Sequence, residues 1–112
     1  MIARKGQQMK KIYICSPLRG DYTRNQQRAK QHCREALRAG YIPIAPHIYF
    51  TEFLDDENPA ERQQGMAAGL ELLQLCQELW AYIPPGGLPS DGMQQEIRYA
   101  LDKGIEVKFI YE

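Results

Sequence analysis

Residues 11–20 read KIYICSPLRG, and the fold turns on how that stretch is parsed. The first half, KIYIC, is short, apolar and rich in β-branched and aromatic residues, which predicts a buried strand. The second half changes abruptly to Ser16-Pro17-Leu18-Arg19-Gly20. From about Tyr22 the apolar residues take up helical spacing. Ala29, Cys33, Ala36 and Leu37 fall on one face, with Arg24, Arg28, Arg34 and Arg38 elsewhere. Gly40 stands where a helix C-terminus places its glycine. A strand, a polar turn and an amphipathic helix make the first two-thirds of a βαβ unit.

The same alternation continues down the chain. YIPIA (41–45) reads as a second strand, somewhat weakened by Pro43. Residues 46–58, PHIYFTEFLDDEN, form a long aromatic and acidic loop with room for a short helical turn. Asn58-Pro59-Ala60-Glu61 then combines an N-cap, a proline at the first helical position and a glutamate three residues after the cap. That helix runs to about Leu75, with Gly65 and Gly69 one turn apart to let a neighbour approach. ELWAYI (78–83) is the third strand and PPGGLPS (84–90) a loop. Ser90 or Asp91 caps a further helix ending near Gly104, and EVKFIY (106–111) is the last strand. Strands alternating with helices predict an α/β fold: a single three-layer Rossmann- or flavodoxin-like domain with a mainly parallel sheet of four or five strands. The domain is expected over residues 11–112, after a flexible extension at 1–10.

Composition agrees. In 112 residues, 44% are hydrophobic and 25% charged, enough to bury one core and to exclude disorder. No window approaches 18 apolar residues, so no span of a membrane is expected. The opening MIARKGQQMK lacks the apolar centre of a signal peptide. Cys15, Cys33 and Cys76 are odd in number and match no metal-binding spacing, so they read as reduced, buried thiols of a cytoplasmic protein. Neither a metal nor a cofactor is implied. Net charge is zero, yet residues 1–40 carry ten Lys or Arg against Asp21 and Glu35. Such a half is a solvated helix face, an attractor of a second subunit, or a face for phosphate. No basic-aromatic interleaving marks a nucleic-acid polymer as partner.

Ligands of parallel sheets sit at the carboxyl ends of the strands, and polar residues follow three of them. After strand one, Ser16, Arg19 and Gly20 precede a helix N-terminus, which favours an anion such as phosphate. The competing assignment pairs Arg19 with a carboxylate such as Asp21. After strand two comes His47, a donor or acceptor for a ligand or a satisfied loop histidine. Tyr49, Phe50 and Phe53 beside it either stack on a base or close a core edge. After strand three, Ser90, Asp91 and Gly92 open a helix whose apolar stripe is Met93, Ile97, Ala100 and Leu101. Glu96 borders that stripe, where partial loss of water raises a carboxylate's pKa.

Together, SPLRG, APHIYFTEFLDD, ERQQGMAAGLELLQLC and GMQQEIRYA resemble the nucleoside 2-deoxyribosyltransferase-like superfamily, including its 2′-deoxynucleoside 5′-phosphate N-hydrolases. The likeness covers roughly residues 11–110 and looks closest to a branch common in phages and prophages. It implies that Glu96 is a nucleophile attacking the anomeric carbon, with Tyr13 beside the sugar. It also implies Ser16, Arg19 and Gly20 at the 5′-phosphate and His47 lining the site. Ser90, Asp91 and Gly92 would hold sugar or phosphate, with Met93 beside them as a further substrate-binding residue. The partner implied is a small nucleotide or nucleoside, and the assembly a homodimer or larger. One departure stands out. The superfamily carries an aspartate near the start of the Leu-Leu-x-x-Cys stretch to protonate the leaving base, and this chain has Gly69 and Glu71 there. Asp55, Asp56 or His47 are the alternative acids. A nucleotide-binding or nucleotide-sequestering protein without catalysis is the alternative function.

Overall fold

A computed structural model describes residues 9–112. The expected extension at 1–10 therefore lies largely outside the described residues. Its last residue, Lys10, already belongs to the fold, since its carbonyl accepts from Ile42 N–H at 2.8 Å.

Four strands form one sheet in which every pair is parallel: β1 (Lys11–Cys15), β2 (Ile42–Ile44), β3 (Glu78–Ile83) and β4 (Glu106–Tyr111). The spatial order is β2-β1-β3-β4. The chain thus leaves β1 in one direction and later crosses to its other side. The switch point lies between β1 and β3, where open parallel sheets bind ligands. Between the strands run α1 (Tyr22–Arg38), the short α2 (Pro46–Tyr49) with a 3₁₀ turn over Phe50–Glu52, α3 (Pro59–Leu73) and α4 (Asp91–Asp102).

The period of two along the strands sorts the core into two faces. Tyr13, Cys15, Leu79, Ala81 and Ile83 pack with Leu73 of α3 and with Met93, Ile97 and Ala100 of α4. Ile12, Ile14 and Tyr82 pack on the other face with Ala36 of α1. Helix, sheet and helix pair are the three layers expected from the sequence.

Two expected core positions are corrected. Leu37 is 48% exposed and Leu101 60% exposed. On α1 the inward face is Gln26, Ala29, His32 and Ala36. His32 stacks on Tyr82 with ring centroids 3.6 Å apart on that face, and Leu37, one step past buried Ala36, faces outward. On α4 the buried residues are Met93, Ile97 and Ala100. Leu101 is one step past this stripe and faces out.

Candidate active site

The loop after β1 is held from both sides. Gly20 has φ +96°, a left-handed conformation that costs a glycine little. Asn25, in the first turn of α1, donates its amide to the carbonyls of Leu18 (3.3 Å) and Arg19 (2.9 Å). Asp21 caps α1, accepting from Arg24 N–H at 3.3 Å. It is therefore not the partner of Arg19. That partner is Asp56, in the long loop: Arg19 Nε donates to its Oδ2 at 3.1 Å, and Nη2 to its backbone oxygen at 3.2 Å.

Ser16 is buried at the end of the strand, with its hydroxyl 2.9 Å from His47 Nε2. The histidine stays put because Gln26 of α1 donates to its carbonyl at 2.9 Å and to Thr51 Oγ1 at 3.0 Å. Thr51 in turn donates to the same carbonyl at 2.8 Å. Burial, helped by the nearby His32, pushes the His47 imidazole down to about 4. It is neutral at pH 7, so the Ser16–His47 contact is a hydrogen bond between uncharged groups.

Helix α4 supplies the third wall. Ser90 caps it, accepting from Met93 N–H at 3.3 Å. Gly92 and Met93 stand four and three residues before Glu96, one helical turn away, so both neighbour it on the helix surface. The Glu96 carboxylate accepts a hydrogen bond from the hydroxyl of Tyr13, which is almost wholly buried. Burial drives the Glu96 carboxyl up to about 7, against the opposing effect of that hydrogen bond. Burial, reinforced by the neighbouring Glu96 charge, also raises Tyr13 well above a free phenol. Tyr13 thus remains a donor at any physiological pH, and Glu96 exchanges its proton near neutrality.

These walls enclose a cleft of about 320 Å³, within the range of small-molecule sites. Of the residues expected at a site, Tyr13, Ser16, Arg19, His47, Ser90, Asp91, Gly92, Met93 and Glu96 all line it. Gly20 does not. It borders an adjoining hollow on the far side of the Arg19–Asp56 pair, with Asp55 and Glu57. Glu71 is exposed on α3 and outside the cleft, so it cannot stand in for the missing aspartate. Among the described residues, no cluster of three or more His, Cys, Asp or Glu could hold a metal.

The fourth wall comes from α3, where the glycine pair marks a close approach but nothing in the spacing marks a ligand. Arg62, Gly65, Met66 and Gly69 line the cleft from α3. They recur at intervals of three, one and three residues, a helical stripe that the periodicity contained. Gly69 has a specific reason to lack a side chain: a Cβ there would lie 3.3 Å from the Tyr13 hydroxyl and 3.7 Å from Pro46 Cβ. The space beside Gly69 is taken by the approach of Tyr13 and Pro46.

The family model described as "Domain of unknown function (DUF7768)" matches residues 10–110. The chain belongs to this family. Its fold is shared with solved structures of deoxyribosyltransferases. One, the 2-deoxyribosyltransferase from Bacillus psychrosaccharolyticus, superposes with a TM-score of 0.68 at 18% identity, covering 90% of this chain and 72% of that one. Another, the 2-desoxiribosyltransferase from Leishmania mexicana, gives 0.65 at 17%, covering 91% of this chain and 64% of the other. The family member described here thus spans less than two thirds of the second enzyme. No curated protein matches the chain. No described helix is long and apolar enough to cross a membrane.

Proposed function

We propose that the protein cleaves, or transfers through, the N-glycosidic bond of a nucleoside or nucleotide, with Glu96 as nucleophile. The observation that carries this reading is the Tyr13–Glu96 pair. It sits on the floor of a cleft at the carboxyl edge of a parallel sheet, and its carboxyl titrates near neutrality. Such a carboxylate is poorly solvated and therefore reactive once ionised.

The chemistry follows from that geometry. The Tyr13 hydroxyl fixes one carboxylate oxygen and leaves the other for attack on the anomeric carbon. A C–O bond to Glu96 forms as the C–N bond to the base breaks, and the electron pair leaves with the base. The base takes a proton from water or from a cleft acid. Water, or a second base, then attacks the glycosyl ester and frees Glu96. Ser16 and His47 form a neutral hydrogen-bonding rim for sugar hydroxyls, and Phe50, Leu54 and Met66 an apolar wall for the base.

A second reading, ligand binding without turnover, draws on the two candidate positions for the superfamily's acid: Gly69 lines the cleft without a side chain, and Glu71 lies outside it. Incubation with a panel of nucleosides and their 5′-phosphates decides between the two. Release of free base by wild type and none by Glu96→Gln supports catalysis. Retained, intact ligand with no free base leaves only binding. The absence of both removes this reading.

A further inference from the structure

The cleft contains an arginine fork that is already occupied. Both donors that Arg19 directs toward the cleft loop end on one residue, Asp56, at 3.1 Å to the carboxylate and 3.2 Å to the backbone oxygen. Arg62, from α3, reaches to 3.9 Å from the same carboxylate oxygen. The Asp56 side chain is only 22% exposed and lies between two cations, while the Arg19 side chain is 57% exposed and remains in contact with water.

The neighbouring helix N-termini, which would otherwise attract an anion, are compensated in the same way. Asp21 caps α1 and Asp91 stands in the first turn of α4. Glu61, in the first turn of α3, accepts from Asp55 N–H at 2.8 Å. Within the cleft lining, Arg19 and Arg62 face Asp56, Glu61, Asp91 and Glu96, so cations are outnumbered by carboxyl groups. A phosphate monoester, with close to two negative charges, would enter against that balance and would have to compete with Asp56 for the Nε–Nη2 edge of Arg19.

We propose that Asp56 is a built-in substitute for a ligand's anionic group. It occupies the Nε–Nη2 edge of Arg19 and offsets the charge of Arg62, so the cleft takes the uncharged nucleoside in preference to its 5′-phosphate. Asp56 is thus the residue that sets the choice between them. This rests on the nucleoside reading of the cleft, and it reverses the role that the sequence suggested for Arg19. The arginine binds the protein's own carboxylate and serves to hold the long loop over the cleft.

The test replaces Asp56 by Asn, which keeps the size and removes the charge. Affinities for matched pairs of 2′-deoxynucleoside and 5′-monophosphate are compared in a Glu96→Gln background, where the ligand persists. Inorganic phosphate is titrated separately by thermal shift. Before the Asp56 change, the nucleoside should bind more tightly than its monophosphate, and phosphate should give no protection. After it, the preference should move toward the monophosphate by about tenfold or more, the effect of a released charged hydrogen-bond fork. Phosphate should then protect, and adding Arg19→Ala should cancel both gains. An unchanged preference, or phosphate protection equal with and without Asp56, overturns the proposal while leaving the nucleoside reading intact. Phosphate protection that appears only with Asp56→Asn, with no nucleoside bound by either protein, upholds the occupied Arg19 edge and removes the nucleoside reading. If neither nucleoside nor phosphate acts on either protein, both fall.

Discussion

Two glutamates sit in the interior of this protein at opposite ends of the same sheet, and their environments drive them in opposite directions. Glu78 opens β3 at the amino edge and is 4% exposed. Burial would raise its pKa, but Trp80 Nε1 at 2.9 Å, Lys108 Nζ at 3.0 Å and Lys10 Nζ at 3.3 Å more than reverse that, and it stays below its ordinary value. Glu96 lies at the carboxyl edge with a neutral phenol as its hydrogen-bond partner, and it rises to about 7. The lesson is that depth alone does not make a carboxylate reactive. A carboxylate ringed by cations is a structural tie. One facing a neutral donor and a cleft holds a proton that it can lose at the pH where chemistry runs.

The largest expected effect breaks the reactive member. Glu96→Gln should reduce base release by on the order of 10³-fold or more, since the amide keeps the shape and loses the nucleophile. The same change should stabilise the protein in alkaline solution. Glu96 holds its proton more tightly folded than unfolded, so wild-type stability falls as pH rises from its ordinary 4.5 toward about 7, by roughly 3 kcal/mol at most. Melting curves should coincide for variant and wild type near pH 4 and favour the variant at pH 8. A variant that melts lower at pH 8 would mean that Glu96 is a structural tie like Glu78.

Turnover should follow the ionised form. Base release should rise with pH and level off above about 7, the value at which Glu96 loses its proton. Tyr13→Phe removes the hydrogen bond that favours the carboxylate. The rise should therefore move to higher pH, with a loss of roughly tenfold to a hundredfold at neutrality. A profile unchanged in position would exclude Tyr13 from holding the nucleophile.

Glu78→Gln tests the other end. It leaves Lys10 without its counter-ion and Lys108 with Glu106 alone, at 3.5 Å, and should cost about 1–2 kcal/mol at pH 7, reduced by the exposure of both lysines. Because the folded pKa is depressed, that stabilisation exists above the ordinary carboxylate range and fades as pH falls through the folded value. Urea melts at pH 7 and pH 3 should therefore differ from wild type at the first and converge at the second. Base release by the surviving folded protein should not change.

The smallest effects come from the two glycines of α3. At Gly65 a Cβ would meet Leu54 Cδ1 at 3.3 Å, the end of a flexible side chain that can move. Gly65→Ala should be neutral or stabilise by up to about 1 kcal/mol through helix propensity. At Gly69 the same 3.3 Å contact is with the hydroxyl of buried Tyr13. Gly69→Ala should disturb the Tyr13–Glu96 pair and lower base release several-fold with little change in melting temperature. Equal behaviour of the two variants would show that Gly69 is there for helix packing alone.

What the sequence determined by itself was everything set by short-range pattern. The β-rich runs at 11–15 and 78–83, the Asn58-Pro59 helix start and the Ser90 cap place the elements. Their alternation requires a parallel sheet, and the parallel sheet requires that Ser16, His47 and Ser90 meet at one edge. Glu96 was legible as a carboxylate on the border of an apolar stripe, since helical period is a local property. The tertiary structure decided which groups face one another across long separations. Arg19 meets Asp56 from 37 residues away, Tyr13 meets Glu96 from 83, and Lys10 meets Glu78 from 68. No local period encodes such pairs, because they depend on how the crossovers pack the helices onto the two faces of the sheet. The partner a charge finds there, a carboxylate, a phenol or a lysine, decides whether it binds, reacts or only holds the fold together.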